Sequence, residues 1–335
     1  MLYPYKFQPI LMERVWGGQA LARFGKPIPA GQRIGESWEI SDRDEAQSIV
    51  SNGPDRGKTL RELVGLLGVQ LLGSNVVAPP PAAGKPFRFP LLIKLLDARE
   101  RLSLQVHPPA SVAPQLGGEP KTEMWYILDA DPDAHLIAGL RPGVTRDGFL
   151  QALQANALEQ CVHRFRVVPG DVLFVPSGRI HAIDAGVVLA EIQQNSDTTY
   201  RVYDWGRLGL DGKPRQLHVQ EALACVDFQD VDPQKTNPRV ECHDVNGLWR
   251  LVECPHFWVH KLELSNAWPG RCDGSSFHII GGLAGTVGIL TADNQEESLQ
   301  PGEFALLPAA LGFYTLTPLG GPASALKITV PSPIL

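Results

Sequence analysis

Long apolar runs are missing from this chain. None approaches the ~18 residues that a membrane helix needs, so no membrane span is expected. A basic excess is missing too. Lys and Arg number 30 against 36 Asp and Glu, a net charge of -6. That balance leaves no electrostatic footprint for nucleic acid. Cysteine is sparse, with five residues at 161, 225, 242, 254 and 272 and no Cys-x-x-Cys pair. Scattered and odd in number, they read as thiols of a cytoplasmic protein, not as a disulfide frame. The opening MLYPYKFQPILMERVWGG lacks the basic start, apolar middle and small-residue cleavage site of a secretory leader.

What is present is turn chemistry. The 335 residues hold 33 glycines and 29 prolines, set among many short apolar runs, and 44% of the chain is apolar. Such punctuation predicts a mainly β fold with a sizeable core. A few helices break it. Thr59-Leu60-Arg61-Glu62 is a capping box and predicts a helix over 60–72. A second helix is expected over 147–162 with Asp147 as its N-cap, and a third near 217–226. Residues 78–86, APPPAAGKP, read as a connector. Lys85 is followed by Pro86 where a phosphate loop needs Ser or Thr. GGLAGTVG at 281–288 reads as a turn between strands.

One internal echo stands out. PGDVLFVPSGRIHAI (169–183) matches PGEFALLPAALGFYT (301–315): Pro169-Gly170-Asp171 with Pro301-Gly302-Glu303, and Pro176 with Pro308. Phe313 occupies the position of His181. The echo suggests two copies of one β unit, of which only the first keeps a polar side chain there.

Alternating strands aim every second side chain into one interior. LSLQVHPP (102–109) puts Leu102, Leu104 and Val106 on one face and Ser103, Gln105 and His107 on the other. Glu123 opens the next strand, EMWYILDA. His181 follows a Pro-Ser-Gly corner. Two imidazoles and a carboxylate suit a divalent first-row metal, with Gln105 as a fourth oxygen donor. Each histidine alone has a structural reading as well. A rival group, Glu241-Cys242-His243-Asp244 with Cys254, His256 and His260, lacks paired ligand spacing and reads as connector and core.

Several motifs then occur in order: RVWGG, IGESWEIS, LLIKLLDARERLSLQVHPP, KTEMWYIL, VPSGRIHAI and EIQQNSDTTYRVYDWGR. Together they resemble the signatures of type I mannose-6-phosphate isomerases, the short bacterial form, over roughly residues 10–210. The resemblance implies a cupin architecture: two jelly-roll-like antiparallel β-barrel units, a catalytic one over 1–245 and a metal-free one over 246–335. It implies one Zn2+ per chain held by Gln105, His107, Glu123 and His181, and a small sugar phosphate as substrate. Arg201 falls where the family has its catalytic arginine, and Lys121 where it has a lysine near the substrate. Ser103 takes the serine position, and Glu191 and Asp197 match acidic pocket positions. The implied chemistry is aldose–ketose isomerisation between mannose 6-phosphate and fructose 6-phosphate, by a monomer or homodimer. The proton-transfer base stays open among Glu191, Asp197, Lys121 and a metal-bound water. Ser103, Lys121 and Arg201 are candidates for the substrate phosphate. Arg201 has a plain alternative as a strand arginine paired to Asp204. Rival functions are an isomerase of another sugar or sugar phosphate, a non-catalytic sugar-binding cupin, and an Fe(II) cupin oxygenase.

Overall fold

Antiparallel pairing dominates the chain. The computed structural model describes residues 2–77 and 87–332, so the connector over 78–86 lies outside the described residues. Three sheets carry the described strands. A six-stranded sheet runs in the order Ile10–Gly18, Ile34–Ile40, Leu91–Ala98, Val187–Gln194, Glu123–Ala130, Val172–Val175. A five-stranded sheet runs Tyr200–Tyr203, Leu104–Val106, His181–Ile183, His135–Leu140, Val162–Arg166. Among the described residues no helix is long and apolar enough to cross a membrane.

Burial explains the layering. One core joins the five- and six-stranded sheets through Leu96, Trp125, Leu173 and Leu189 on one side and Leu136, Ala138 and Ile183 on the other. The outer face of the five-stranded sheet (Leu104, Val106, Val202) is covered by Phe149 and Leu223 of the helices Arg146–Gln154 and Val219–Cys225. The outer face of the six-stranded sheet (Ile93, Leu95, Met124, Ile192) packs on Ile279 and Leu326 of the third, nine-stranded sheet and on Phe277 just before its strand His278–Thr291. The six-stranded sheet is therefore covered on both faces. That is why Leu91–Ala98 is buried along its whole length and reads as an apolar run interrupted only by Lys94 and Asp97.

The nine-stranded sheet has its own interior, including Leu262, Ile280, Val287 and Leu316. Both ends of its main path come from earlier in the chain. Tyr5–Lys6 pairs with Phe304–Leu307, and Arg239–His243 pairs with Gly247–Glu253. The echoed segments share a local structure: Val172–Val175 and Phe304–Leu307 each follow a Pro-Gly turn. Gly170 and Gly302 both sit at positive φ, 92° and 84°, where a side chain would be strained.

Three local expectations need correction. The capping box of Thr59 and Glu62 forms, but its helix ends at Leu67 because Gly68 takes φ 50°, and a short turn, Val69–Leu72, follows. The second helix is capped by Thr145, whose hydroxyl accepts from the Gly148 N–H, and not by Asp147. It ends at Gln154, and Asn156 at φ 54° turns the chain away. GGLAGTVG is no turn. It lies inside the strand His278–Thr291, where Gly282 and Gly285 sit at register shifts against its partner.

Candidate metal centre

Register builds one wall. In the five-stranded sheet Arg201 lies opposite Gln105, and Gln105 opposite His181. Cross-strand partners share a face, so three residues distant in sequence stand side by side. His107 follows Gln105 by one alternation. Glu123 enters from the facing sheet at the first position of its strand.

His107 Nε2 lies 3.4 Å from Glu123 Oε2, and His181 Nε2 3.5 Å from Glu123 Oε1. All three residues are buried, with their ligand atoms within 4.8 Å of one another. Each ring is oriented from behind. His107 Nδ1 donates to the Thr198 carbonyl and His181 Nδ1 to the Arg179 carbonyl, both at 2.8 Å. A carbonyl only accepts, so each Nδ1 carries the proton and each Nε2 keeps its lone pair toward Glu123. Burial and the Lys121 charge lower the His107 pKa, and burial brings His181 down to about 3. Both rings are thus neutral at neutral pH, the state that binds metal.

Glu123 is fully buried, and its Oε1 has no hydrogen-bond partner. The Lys121 ammonium pairs with it at 2.6 Å. Against burial, that charge holds the Glu123 carboxyl well below the usual range. His107 Nε2 faces the Lys121 ammonium at 3.2 Å, while His181 Nε2 and Glu123 Oε1 face each other as two acceptors, a costly arrangement when dry. A divalent cation among them would relieve that cost, so the donor set fits a metal. Gln105 turns its amide nitrogen toward His181 Nε2 at 3.3 Å, and its oxygen accepts from the Ser103 hydroxyl at 3.3 Å. A half-turn of the amide would present the oxygen to the centre instead.

The facing wall is a second in-register row: Trp38, Lys94, Glu191 and Trp125 on four adjacent strands. Trp125 Nε1 donates to Glu191 Oε2 at 3.0 Å. Glu191 Oε1 lies 3.5 Å from Lys94 Nζ and 3.8 Å from Lys121 Nζ. Burial and the neighbouring Glu123 charge still raise the Glu191 pKa. Lys121 moves upward as well, because Glu123 and Glu191 outweigh its burial. Asp197 lies 3.7 Å from Lys94 and is 44% exposed at the mouth. Between the walls is a cleft of about 380 Å3.

Ser103, Gln105, Lys121, Glu191, Asp197 and Arg201 all line this cleft. Arg201 does not pair with Asp204. It donates to the Ser103 hydroxyl at 3.3 Å and to the Gln216 carbonyl at 2.8 Å. Sequence reasoning missed Arg14, Glu36, Lys94 and Arg215, which also line it. A lone Lys inside LLIKLL, or a Glu inside IGESWEI, was the available signal for two of them. Nothing local marks Arg215. The rival group does not assemble. Cys242 is exposed on an end strand and Cys254 is buried elsewhere. Among the described residues, the one cluster with metal-ligand geometry is His107, Glu123 and His181.

Comparison with known proteins follows the same line. Residues 5–132 match the family model of the phosphomannose isomerase type I catalytic domain. The chain is 36% identical to mannose-6-phosphate isomerase ManA of Bacillus subtilis over 93% of its own length and 95% of the relative's. It is 33% identical to a mannose-6-phosphate isomerase of Streptococcus mutans, over 92% and 93%. The crystal structure of a Bacillus subtilis mannose 6-phosphate isomerase superposes with a TM-score of 0.85 at 33% identity, covering 97% of this chain and 99% of that one.

Proposed function

We propose that this chain, which belongs to the type I phosphomannose isomerase family, interconverts mannose 6-phosphate and fructose 6-phosphate with one zinc ion per chain. The observation that carries the reading is the buried convergence of His107, Glu123 and His181, in contact with Gln105 and Lys121, which line a polar, cation-rich cleft. Gln105 would be the fourth ligand. Two imidazole nitrogens, a carboxylate and an amide oxygen suit zinc. Bound there, the metal would polarise the oxygens beside the carbon that loses its proton.

The chain's own residues do the rest. Isomerisation lifts a proton from one of two adjacent carbons and returns it to the other. Glu191 is the side chain we assign to carry it. Burial makes it a stronger base than an ordinary carboxylate, and the Trp125 N–H fixes its direction. Lys121 is a poor base, because two carboxylates hold its proton in place. It supplies fixed positive charge against the charge that develops on the sugar oxygens. Arg201 adds a guanidinium that does not lose its proton. Asp197 steadies Lys94 at the mouth. Residues 1–245 form the catalytic unit in this reading. Residues 246–335 form a metal-free partner, in which exposed Phe313 replaces His181 and lies against Arg271. Five free cysteines, four of them buried, support a cytoplasmic setting.

The test is a coupled isomerase assay with mannose 6-phosphate on zinc-loaded protein, chelated protein and His181→Ala. Turnover is expected with zinc at one per chain, and is expected to vanish on chelation and in the variant. No turnover in the zinc-loaded wild type would sink the substrate assignment. Turnover that survives both chelation and the variant would sink the metal's role.

A further inference from the structure

Most cations of the cleft are already matched. Arg14 pairs with Glu36 at 2.8 Å, Lys121 with Glu123 at 2.6 Å, and Lys94 with Glu191 at 3.5 Å and Asp197 at 3.7 Å. One end differs. Arg201, Arg207 and Arg215 gather around a single acid, Asp204. Arg207 reaches it at 2.7 Å, and Arg215 grips it through Nε at 2.7 Å and Nη2 at 2.5 Å. Arg201 has no carboxylate within ion-pair reach among the described residues. Three guanidinium groups against one carboxylate leave two positive charges in excess. That excess is partly dry: burial and the Arg215 charge lower the Arg201 pKa. Excess positive charge at a half-buried end of a polar cleft favours an anion there.

The position suits the substrate. Gln105 stands beside the metal-binding rings and Ser103 one alternation along the same strand face, roughly 7 Å away. The Ser103 hydroxyl accepts from Arg201 Nε. An open-chain hexose with its first two carbons at the metal centre would bring a phosphate on its sixth carbon to this end. Arg215 lines the cleft from the loop between the strand Tyr200–Tyr203 and the helix Val219–Cys225. That loop is built, not slack: Leu208 and Pro214 form a bridge, and the His218 N–H donates to the Arg201 carbonyl at 2.8 Å. With Nε and Nη2 spent on Asp204, Arg215 keeps its Nη1 edge without a protein partner among the described residues.

We propose that Arg215 is a specificity residue for the phosphate: its Nη1 edge, with Arg201 and the Ser103 hydroxyl, forms a dianion subsite, and Asp204, bridged to Arg207, holds the guanidinium in place. This rests on the proposed isomerase function, and the experiment separates the two. Calorimetry measures binding of inorganic phosphate to zinc-loaded wild type, Arg215→Gln, Arg215→Lys and, as an outside control, Arg250→Gln. Steady-state kinetics with mannose 6-phosphate run alongside. Arg215→Gln is expected to weaken phosphate binding and raise KM by roughly 10- to 100-fold, the loss of charge-assisted hydrogen bonds, with kcat changed only a few-fold. Arg215→Lys, which keeps charge but loses the fork, falls between. Arg250→Gln matches wild type. Equal phosphate affinity in wild type and Arg215→Gln overturns the subsite, as does a fall in kcat at unchanged KM. If Arg215→Gln does not fold by circular dichroism, Arg215→Lys decides by the same comparison. If wild type turns over no mannose 6-phosphate but phosphate binding still depends on Arg215, the isomerase reading fails and the subsite stands.

Discussion

Replacing Lys121 with methionine removes one charge and keeps the bulk of the side chain. Lys121 is 4% exposed and stands between Glu123 at 0% and Glu191 at 4%. Its Nζ is 2.6 Å from Glu123 and 3.8 Å from Glu191. None of these charges is screened by water, so the variant strands Glu123 and leaves Glu191 with Lys94 as its one remaining cation. Breaking a buried pair by removing one partner costs about 3–5 kcal/mol. The cost depends on pH, with a definite sign. The Glu191 pKa is already raised in the folded protein, so the native state binds a proton that the unfolded chain releases. That contribution is complete below the unfolded pKa and is lost as pH rises through the folded one. Without Lys121 the folded pKa climbs further, and Glu123 loses the main charge that held its own pKa down. The metal-free variant should therefore trail wild type by most of that cost at pH 8 and by clearly less near pH 5.5. Urea unfolding in chelator at the two pH values measures the gap. Zinc should narrow it, since a ligand at 100 times its Kd adds about 2.7 kcal/mol to whichever protein binds it, and the variant's bare Glu123 favours the cation. A variant as stable as wild type at pH 8, or a gap that widens as pH falls, would refute the electrostatic account of the cleft.

Two further outcomes follow from single contacts. Glu191→Gln should keep its zinc and change KM only a few-fold while kcat drops by roughly 10²–10⁴, the usual worth of a placed proton carrier; an unchanged kcat would move the role elsewhere. Gly178→Ala should cost about 1–3 kcal/mol, because Gly178 has φ 92° and a Cβ there would meet the Cys225 carbonyl oxygen at 3.3 Å. Gly178 lies three residues before His181, so zinc content should fall with stability; a fully loaded variant of wild-type stability would show that the corner does not set the ring.

The sequence by itself determined the chemistry-bearing residues that obey a local rule. Alternation put Ser103, Gln105 and His107 on one strand face, and a Pro-Ser-Gly corner preceded His181. The order of the motifs carried the resemblance. The same local logic failed where nearby signals competed: Asp147 looked like a cap two residues past Thr145, and the glycines of 281–288 looked like a turn although their strand is held by pairing on its flank. Tertiary structure decided which side chains meet. The row of Arg201, Gln105 and His181 exists because three strands pair in one register. Lys94 and Glu191 face that row because a second sheet packs over it. Arg215 reaches the cleft because its loop folds back on Asp204. Strand pairing joins residues tens of positions apart, and a one-residue slip would turn each side chain to the opposite face. No spacing along the chain encodes that, so the candidate ligands could be named in advance, while the charge balance and the far end of the cleft belong to the fold alone.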